Sequence, residues 1–306
     1  MIKRAIYSIL LILITSLQVM GLPYCDVRKF SIIDGLAANT ISGITQTPDR
    51  LMWFSTWNGI SYYDGNSFHT FRDEADDIDL LSTNRFMDVY ATSRNNVWCI
   101  TAGRHLYAYE TILCTFVPVG DNINKLYNID LRVDKIYPIN QGNTWVTTKS
   151  GDYLIRINGL QREGNIPELI KVGQDGLRSG NVWHIWADKK KRDWILTDKG
   201  TTIYHSQFST PIPFKWIREV GDNVFLATED GRLAVFDENN KLNMIPLPAG
   251  VTRINQLKNT GYQLLIATNL GMIIYNPRTF KTEIINVQSP SQPLAEVKNI
   301  YTDDFG

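Results

Sequence analysis

The chain has 306 residues, enough for one large domain, and 31 basic residues balance 31 acidic ones. That neutrality argues against a general nucleic-acid binder, which carries a net basic face. An aromatic content of 11%, with eight Trp and fourteen Tyr, suits a sheet protein and equally a sugar binder, so it does not choose between them.

Residues 1–21 read as a secretory signal peptide: Lys3 and Arg4 form a basic start, Ile9 to Ile14 is wholly apolar, and Val19-Met20-Gly21 supplies a cleavage context. The apolar run is shorter than the ~20 residues that a spanning helix needs. Export is therefore expected, and it would permit disulfides. The three cysteines are Cys25, Cys99 and Cys114. Cys99 and Cys114 are placed on the second and fourth strands of one sheet, two strand spacings of ~4.8 Å apart and out of disulfide reach. Neither metal-ligand spacing nor a cofactor motif is present, so no cofactor is expected.

From residue 22 onward the chain repeats itself. Six times an apolar strand ends in Thr and is followed by a Gly and a second apolar strand. The copies are Trp53 to Thr56 with Gly59, Trp98 to Thr101 with Gly103, and Trp145 to Thr148 with Gly151. They continue with Trp194 to Thr197 and Gly200, Phe225 to Thr228 and Gly231, and Leu265 to Thr268 and Gly271. The Thr-to-Thr spacings are 45, 47, 49, 31 and 40 residues. Upstream of each copy stands a pair of apolar residues three apart: Ile41/Ile44, Phe86/Val89, Val133/Ile136, Val182/Ile185, Phe214/Ile217 and Ile254/Leu257. The second member precedes the Trp position by 8 or 9 residues. Repeats of this length made of short strands mean a propeller. The fold class is all-β: a β-propeller of four-stranded blades, with six blades and part of a seventh.

In the first copy the innermost strand carries the apolar pair, and the others are predicted at Leu51 to Thr56, Ile60 to Tyr63 and Phe68 to Phe71. Asp64-Gly65-Asn66 is a strong hairpin turn. Later third strands are predicted at Leu106 to Tyr109, Tyr153 to Ile157, Thr202 to Tyr204, Leu233 to Phe236 and Met272 to Tyr275. A seventh pair, Val297/Ile300, opens an expected strand Lys298 to Thr302, and Arg28 to Ile33 is predicted as an outer strand of the same blade. On this reading residues 22–306 form an incomplete seven-bladed ring and the N-terminal part of a longer protein. The repeated Trp, Thr and Gly are assigned structural roles: filling the space between blades, bonding nearby backbone, and reversing the chain tightly.

The first copy resembles the two-component regulator propeller repeat. The matching residues are Asp34, Gly35, Leu36, Asn39, Ile41, Asp49, Leu51, Trp53, Thr56, Gly59, Ile60, Tyr63, Asp64, Gly65 and Phe68. The resemblance extends over residues 30–306. It departs from the family pattern in the first turn, which lacks a Gly, at Met52, and in the fifth and sixth copies, which lose the Trp. The resemblance implies the periplasmic sensor half of a hybrid two-component histidine kinase of Bacteroidetes-like bacteria. It also implies an oligosaccharide input, a second propeller and further downstream domains of the same protein as partners, an inner-membrane anchor, and a homodimer in full length. Kinase activity would belong to those downstream domains.

Candidate ligand residues come from one end of the propeller. The position before each apolar pair reads Thr40, Arg85, Arg132, Asn181, Pro213, Arg253 and Glu296. The arginines at one register would favour a carboxylate or sulfate through forked bonds. The alternative is that each pairs with a local acid: Asp79, Asp88, Asp130, Asp134 and Glu296 are available. The loops after the repeated Thr add Trp57, Asn58, Arg104 and His105. Trp57 either stacks on a sugar or packs against the loop Arg72 to Thr83. Asp73 to Asp79 holds five carboxylates but lacks the central Gly of a calcium loop, and reads as solvated. Three functions remain open: a glycan-sensing module without catalysis, a propeller lyase or glycoside hydrolase, and a protein-interaction scaffold.

Overall fold

The computed structural model describes residues 28–72, 83–92, 96–110, 114–139, 143–158, 166–174, 177–285 and 296–301. The expected signal peptide, Cys25, the acidic loop 73–79 and residues 302–306 lie outside them.

Six four-stranded antiparallel sheets, each with its strands in chain order, form six blades. Blade 1 is Ile41–Gln46, Met52–Thr56, Gly59–Tyr63 and Phe68–Phe71. Blade 2 is Phe86–Ala91, Val97–Thr101, Leu106–Glu110 and Thr115–Val117. Blade 3 is Val133–Pro138, Asn143–Thr148, Tyr153–Asn158 and Glu168–Lys171. Blade 4 is Val182–Ala187, Asp193–Thr197, Gly200–Ile203 and Ser209–Thr210. Blade 5 is Trp216–Val220, Asn223–Ala227, Leu233–Phe236 and Leu242–Ile245. Blade 6 is Ile254–Asn259, Leu264–Thr268, Gly271–Asn276 and Lys281–Ile285.

The two repeated sequence features meet at the seams between blades. Trp98 of blade 2 shares a buried cluster with Val133 and Ile136 of blade 3. Trp53 packs with Phe86 and Val89, Trp145 with Ile185, Trp194 with Phe214 and Ile217, and Phe225 with Ile254 and Leu257. Blades 1 to 5 thus each insert their Trp-position side chain against the innermost strand of the next. The four indoles are at most 1% exposed.

The spacing of three within each apolar pair is odd for a strand, where residues three apart point to opposite faces. A bulge resolves it. In blades 1, 2, 3, 4 and 6 the pairing register shifts just after the first apolar residue, leaving Ser42, Met87, Asp134, Trp183 or Asn255 as the extra residue. The bulge restores both apolar residues to one face.

The repeated Thr pins the following turn. Thr56, Thr197 and Thr268 each donate Oγ1 to the carbonyl of the Gly three residues on, at 2.8, 3.0 and 2.8 Å. Each also accepts the amide two residues on, at 3.0, 3.2 and 3.1 Å. The Gly is required where the third strand starts beside the fourth. Gly200 has φ +144°, and a Cβ there would sit 2.3 Å from the Thr210 carbonyl oxygen.

Several expectations need correction. Arg28 to Ile33 is not a strand: Ile32–Asp34 forms a single 3-10 turn held by a capping box between Ser31 and Asp34. Residues 296–301 are not assigned as strand, although their seating matches the repeat. Asn255 Nδ2 donates to the Val297 carbonyl at 2.8 Å, as Ser42 Oγ donates to the Phe86 carbonyl at 2.9 Å. The third strand of blade 4 lies at Gly200–Ile203, two residues earlier than predicted at its start. Cys114 sits in the turn before the fourth strand of blade 2, with φ +51°. Burial pushes the Cys99 thiol pKa up, leaving it unreactive.

Helix α1 (Val119–Tyr127) was not foreseen. It buries Val119, Gly120 and Ile123 against the seam of blades 2 and 3. The approach is close: a Cβ on Gly120 would lie 3.1 Å from the Leu106 amide nitrogen.

Trp145 also donates Nε1 to Asp193 at 3.0 Å. Trp145→Ala should therefore lower unfolding free energy by about 3–5 kcal/mol, the usual cost of truncating a buried indole. Gly200→Ala should also destabilise, by more than about 1 kcal/mol. Denaturant titration checks both. Wild-type midpoints would remove the structural role given to the repeated residues.

Candidate functional site at the loop end

The innermost-strand openings and the loops after the repeated Thr do share one end. The amides of Ala102, Lys149, Asp198 and Asn269 donate to the carbonyls of Arg85, Arg132, Asn181 and Arg253 at 2.8, 2.8, 3.1 and 3.3 Å. The sequence-derived site residues therefore lie on a common face. They do not form one cluster.

Three arginines are engaged by acids of their own neighbourhood. Arg132 lies 3.2 Å from Asp130, Arg253 lies 3.1 Å from Glu296, and Arg104 lies 3.6 Å from Asp134. Exposed pairs of this kind contribute about 0–1 kcal/mol, so they hold side chains in place rather than stabilise the fold. Asn181 is tied to Asp198 through its amide and side chain at 2.8 and 3.2 Å. Asn58 is turn structure: its amide meets Thr56 and its carbonyl accepts Arg72 Nε at 3.1 Å.

Two groupings remain. The first joins blade 1 to blade 2. The indole of Trp57 is 60% exposed, and the Arg85 guanidinium stands over it, 5.9 Å from the ring centroid. Trp57 therefore packs against a cation, and Arg85 has no carboxylate partner among the described residues. The second joins blade 2 to blade 3. Arg132 Nη1 is 2.7 Å from His105 Nε2 and 3.0 Å from the Gly103 carbonyl oxygen. Since arginine only donates, His105 Nε2 accepts. His105 Nδ1 is 3.7 Å from Asp121 at the start of α1. A cleft of about 520 Å³ adjoins this grouping, with Asp130, Arg132, Lys149, Ser150, Asp152 and Tyr153 in its wall. Among the described residues no group of His, Cys, Asp and Glu is arranged to hold a metal ion.

A second region, along the axis, escaped the sequence reading. The innermost strands of blades 2, 3 and 4 together line a cleft of about 350 Å³ with Tyr90, Tyr137, His184 and Trp186. Burial is the main reason that the Tyr137 pKa rises to about 12, with Asp134 adding to it. Burial lowers the His184 pKa, and the nearby Arg218 charge lowers it further. These residues occupy non-repeating positions on the innermost strands, so periodicity passes over them. A column of the second and fourth residues after each pair's first member would have collected them.

No protein-family model matches the chain, and no curated protein matches it. Solved structures do. The fold defines a β-propeller of four-stranded blades. The extracellular domain of BT3049 from B. thetaiotaomicron, described as a hybrid two component system, superposes with a TM-score of 0.53 at 19% identity, covering 91% of this chain and 39% of that one. The extracellular domain of BT4673 from the same organism, described as a one component or hybrid two component system, gives 0.49 at 15% identity, with 86% of this chain and 39% of that chain covered. Virginiamycin B lyase from Staphylococcus aureus gives 0.48 at 13% identity, with 81% and 85% covered. The chain thus spans 39% of the length of the two sensor-domain structures. At these identities the likeness shows the fold. Among the described residues no helix is long and apolar enough to cross a membrane.

The lowered His184 pKa has a pH consequence. The unfolded chain takes up this proton near pH 6.5, whereas the folded chain resists it. Stability from this residue is thus present above about pH 6.5 and is lost as pH falls toward the lowered folded-state value. Thermal melts from pH 7.5 to 5 should show a shallower acid-side decline in His184→Gln than in wild type. Parallel curves would show that His184 is not the group responsible.

Proposed function

We propose that this chain is the ligand-sensing propeller of an exported two-component sensor, and that it binds without catalysing. Its input is an oligosaccharide carrying a carboxylate or sulfate, held at the loop end. A second propeller and the downstream domains of the same protein would receive the signal, within a membrane-anchored homodimer. The sensor part of this reading is supported by the repeat resemblance and by the described role of the BT3049 neighbour.

One observation carries the ligand part: the exposed Trp57 with Arg85 standing over it. An indole offers the apolar face of a sugar ring a stacking surface. A guanidinium beside it offers forked hydrogen bonds to an acidic substituent. Elsewhere on this face Arg104, Arg132 and Arg253 already face acids.

Thermal-shift and calorimetric titrations with uronic, sulfated and neutral oligosaccharides test the reading, since a ligand of the native state raises its apparent stability. An acidic oligosaccharide should raise Tm. Trp57→Ala and Arg85→Ala should each weaken binding about tenfold or more, because each removes a charged or stacking contact. Both side chains are exposed, so their ligand-free Tm should stay close to wild type. Binding that survives both substitutions would move recognition elsewhere. Turnover of the sugar by the purified protein would overturn the non-catalytic assignment.

A further inference from the structure

The seams between blades are not filled alike. In the first seam five aromatic side chains meet: Trp53, Tyr62 and Phe71 of blade 1 with Tyr109 and Phe116 of blade 2. Neighbouring rings there stand 4.9 to 6.2 Å apart, centroid to centroid. The pairing registers identify the same five positions in the seam of blades 5 and 6. Trp53 lies opposite Tyr62, and Phe225 opposite Val235. Ile60 lies opposite Phe71, and Leu233 opposite Ile245. Tyr109 lies opposite Phe116, and Tyr275 opposite Thr282. Of the five aromatics, Tyr109 alone has its own kind there, as Tyr275. The other four positions hold the smaller Phe225, Val235, Ile245 and Thr282. A cleft of about 680 Å³ stands at this place, with all five residues in its wall. A seam packed to ordinary interior density leaves no such space. The volume lies within the range of small-molecule pockets.

The rest of the wall adds charge of one sign. The turn between the third and fourth strands of blade 5 contributes Asp237 and Glu238, and no Lys or Arg lines the cleft. Asp237 Oδ1 accepts the amides of Asn239 and Lys241 at 3.0 and 2.9 Å. Its Oδ2 accepts Asn243 Nδ2 at 3.1 Å and keeps room for a second donor. Glu238 is exposed and has no ion-pair partner among the described residues. Lys241, Arg278 and Lys281, on the same two hairpins, are exposed and outside the wall. Phe280 stands at the mouth, 78% exposed, with φ +58°, a backbone region that a bulky residue enters at a cost. These turns join third strands to fourth strands, at the end of the blades opposite the loops that follow the repeated Thr.

We propose that the seam of blades 5 and 6 is a binding site, separate from the loop-end site, for a small aromatic amine. Its ring takes the space that Tyr62, Phe71 and Phe116 fill in the first seam, against Val235, Ile245 and Tyr275. Its ammonium lies beside Asp237 and Glu238. The aromatic remnant of the seam favours a flat ring over an alkyl chain. The carboxylates favour a cation over an acid, and the exposed face of Phe280 attracts the same charge. The ligand completes a seam that the chain leaves unfilled.

Tryptamine is the probe. Indole-3-acetate keeps its ring and reverses the charge, and n-butylamine keeps the charge and drops the ring. Calorimetric titration into the full chain should show tryptamine binding, with both controls weaker by about tenfold or more. Glu238→Lys, in an exposed turn, should weaken tryptamine about tenfold by reversing a charge at the mouth. Val235→Tyr puts the blade 1 residue into the seam and should abolish tryptamine binding, with Tm at or above wild type because a void is filled. Thr282→Phe, at an exposed position, fills the same space from the blade 6 side and serves if Val235→Tyr does not fold. The proposal is overturned if tryptamine does not bind wild type, if indole-3-acetate binds as tightly, if Glu238→Lys binds tryptamine as wild type does, or if a folded filling variant does so.

Discussion

The structure depends on one contact made repeatedly: a large side chain on the second strand of one blade, pressed against the apolar pair on the innermost strand of the next. Trp98 against Val133 and Ile136 is the type example. A single four-stranded sheet cannot bury both of its faces, so each blade draws its stability from its neighbours. The contact also explains why the two repeated features keep a separation of 8 or 9 residues. That separation carries the chain along the innermost strand, through one turn and onto the second strand. The side chain then faces the next blade, while the pair faces the previous one. At the ends of the series the same logic shows by contrast. Ile44 of blade 1 is 57% exposed, and Leu265 of blade 6, at 8%, is less enclosed than the four indoles.

The seams set what the blade ends can do. The bulge that aligns the apolar pair lets Ser42 of blade 1 and Asn255 of blade 6 bond the backbone of the segment that opens the next repeat, and the Thr hydroxyl fixes the loop that follows. The loop end is thus a rigid frame carrying variable side chains. Similarity among blades supplies the frame, and difference among blades supplies the chemistry. Trp57 with Arg85, and Arg132 with His105, are contacts between blades, each made by a loop of one blade and the leading residue of the next.

Buried charge divides into two kinds. Asp193 is met by Trp145 and by Arg156 at 3.2 Å, and burial still raises its pKa against those bonds. Asp188 is fully enclosed with Arg192 at 2.6 Å and Trp194 at 3.0 Å. These acids lock turns to the indoles and are satisfied within the chain. Among the described residues Arg218 has no such lock: its guanidinium meets the Ile217 carbonyl oxygen.

The amino-acid sequence by itself determined the six four-stranded blades, the strand order within a blade and the structural duty of the repeated Trp, Thr and Gly. Those properties repeat, and a period is visible along one dimension. It also picked out the register at which Arg85, Arg132 and Arg253 open their strands, because that register is a fixed offset from the apolar pairs. Only the tertiary structure decided which arginines are already neutralised. Arg253 finds Glu296, which is 43 residues away and one of several acids available to it along the chain, and only the packed blades select it. The same holds for α1 (Val119–Tyr127), whose single buried stripe is defined by the seam it covers. It holds for the axial cleft too, where Tyr90, Tyr137 and His184 come from three blades. Side chains that meet across blades are set by how the sheets pack, and packing is a property of the ring rather than of any one repeat.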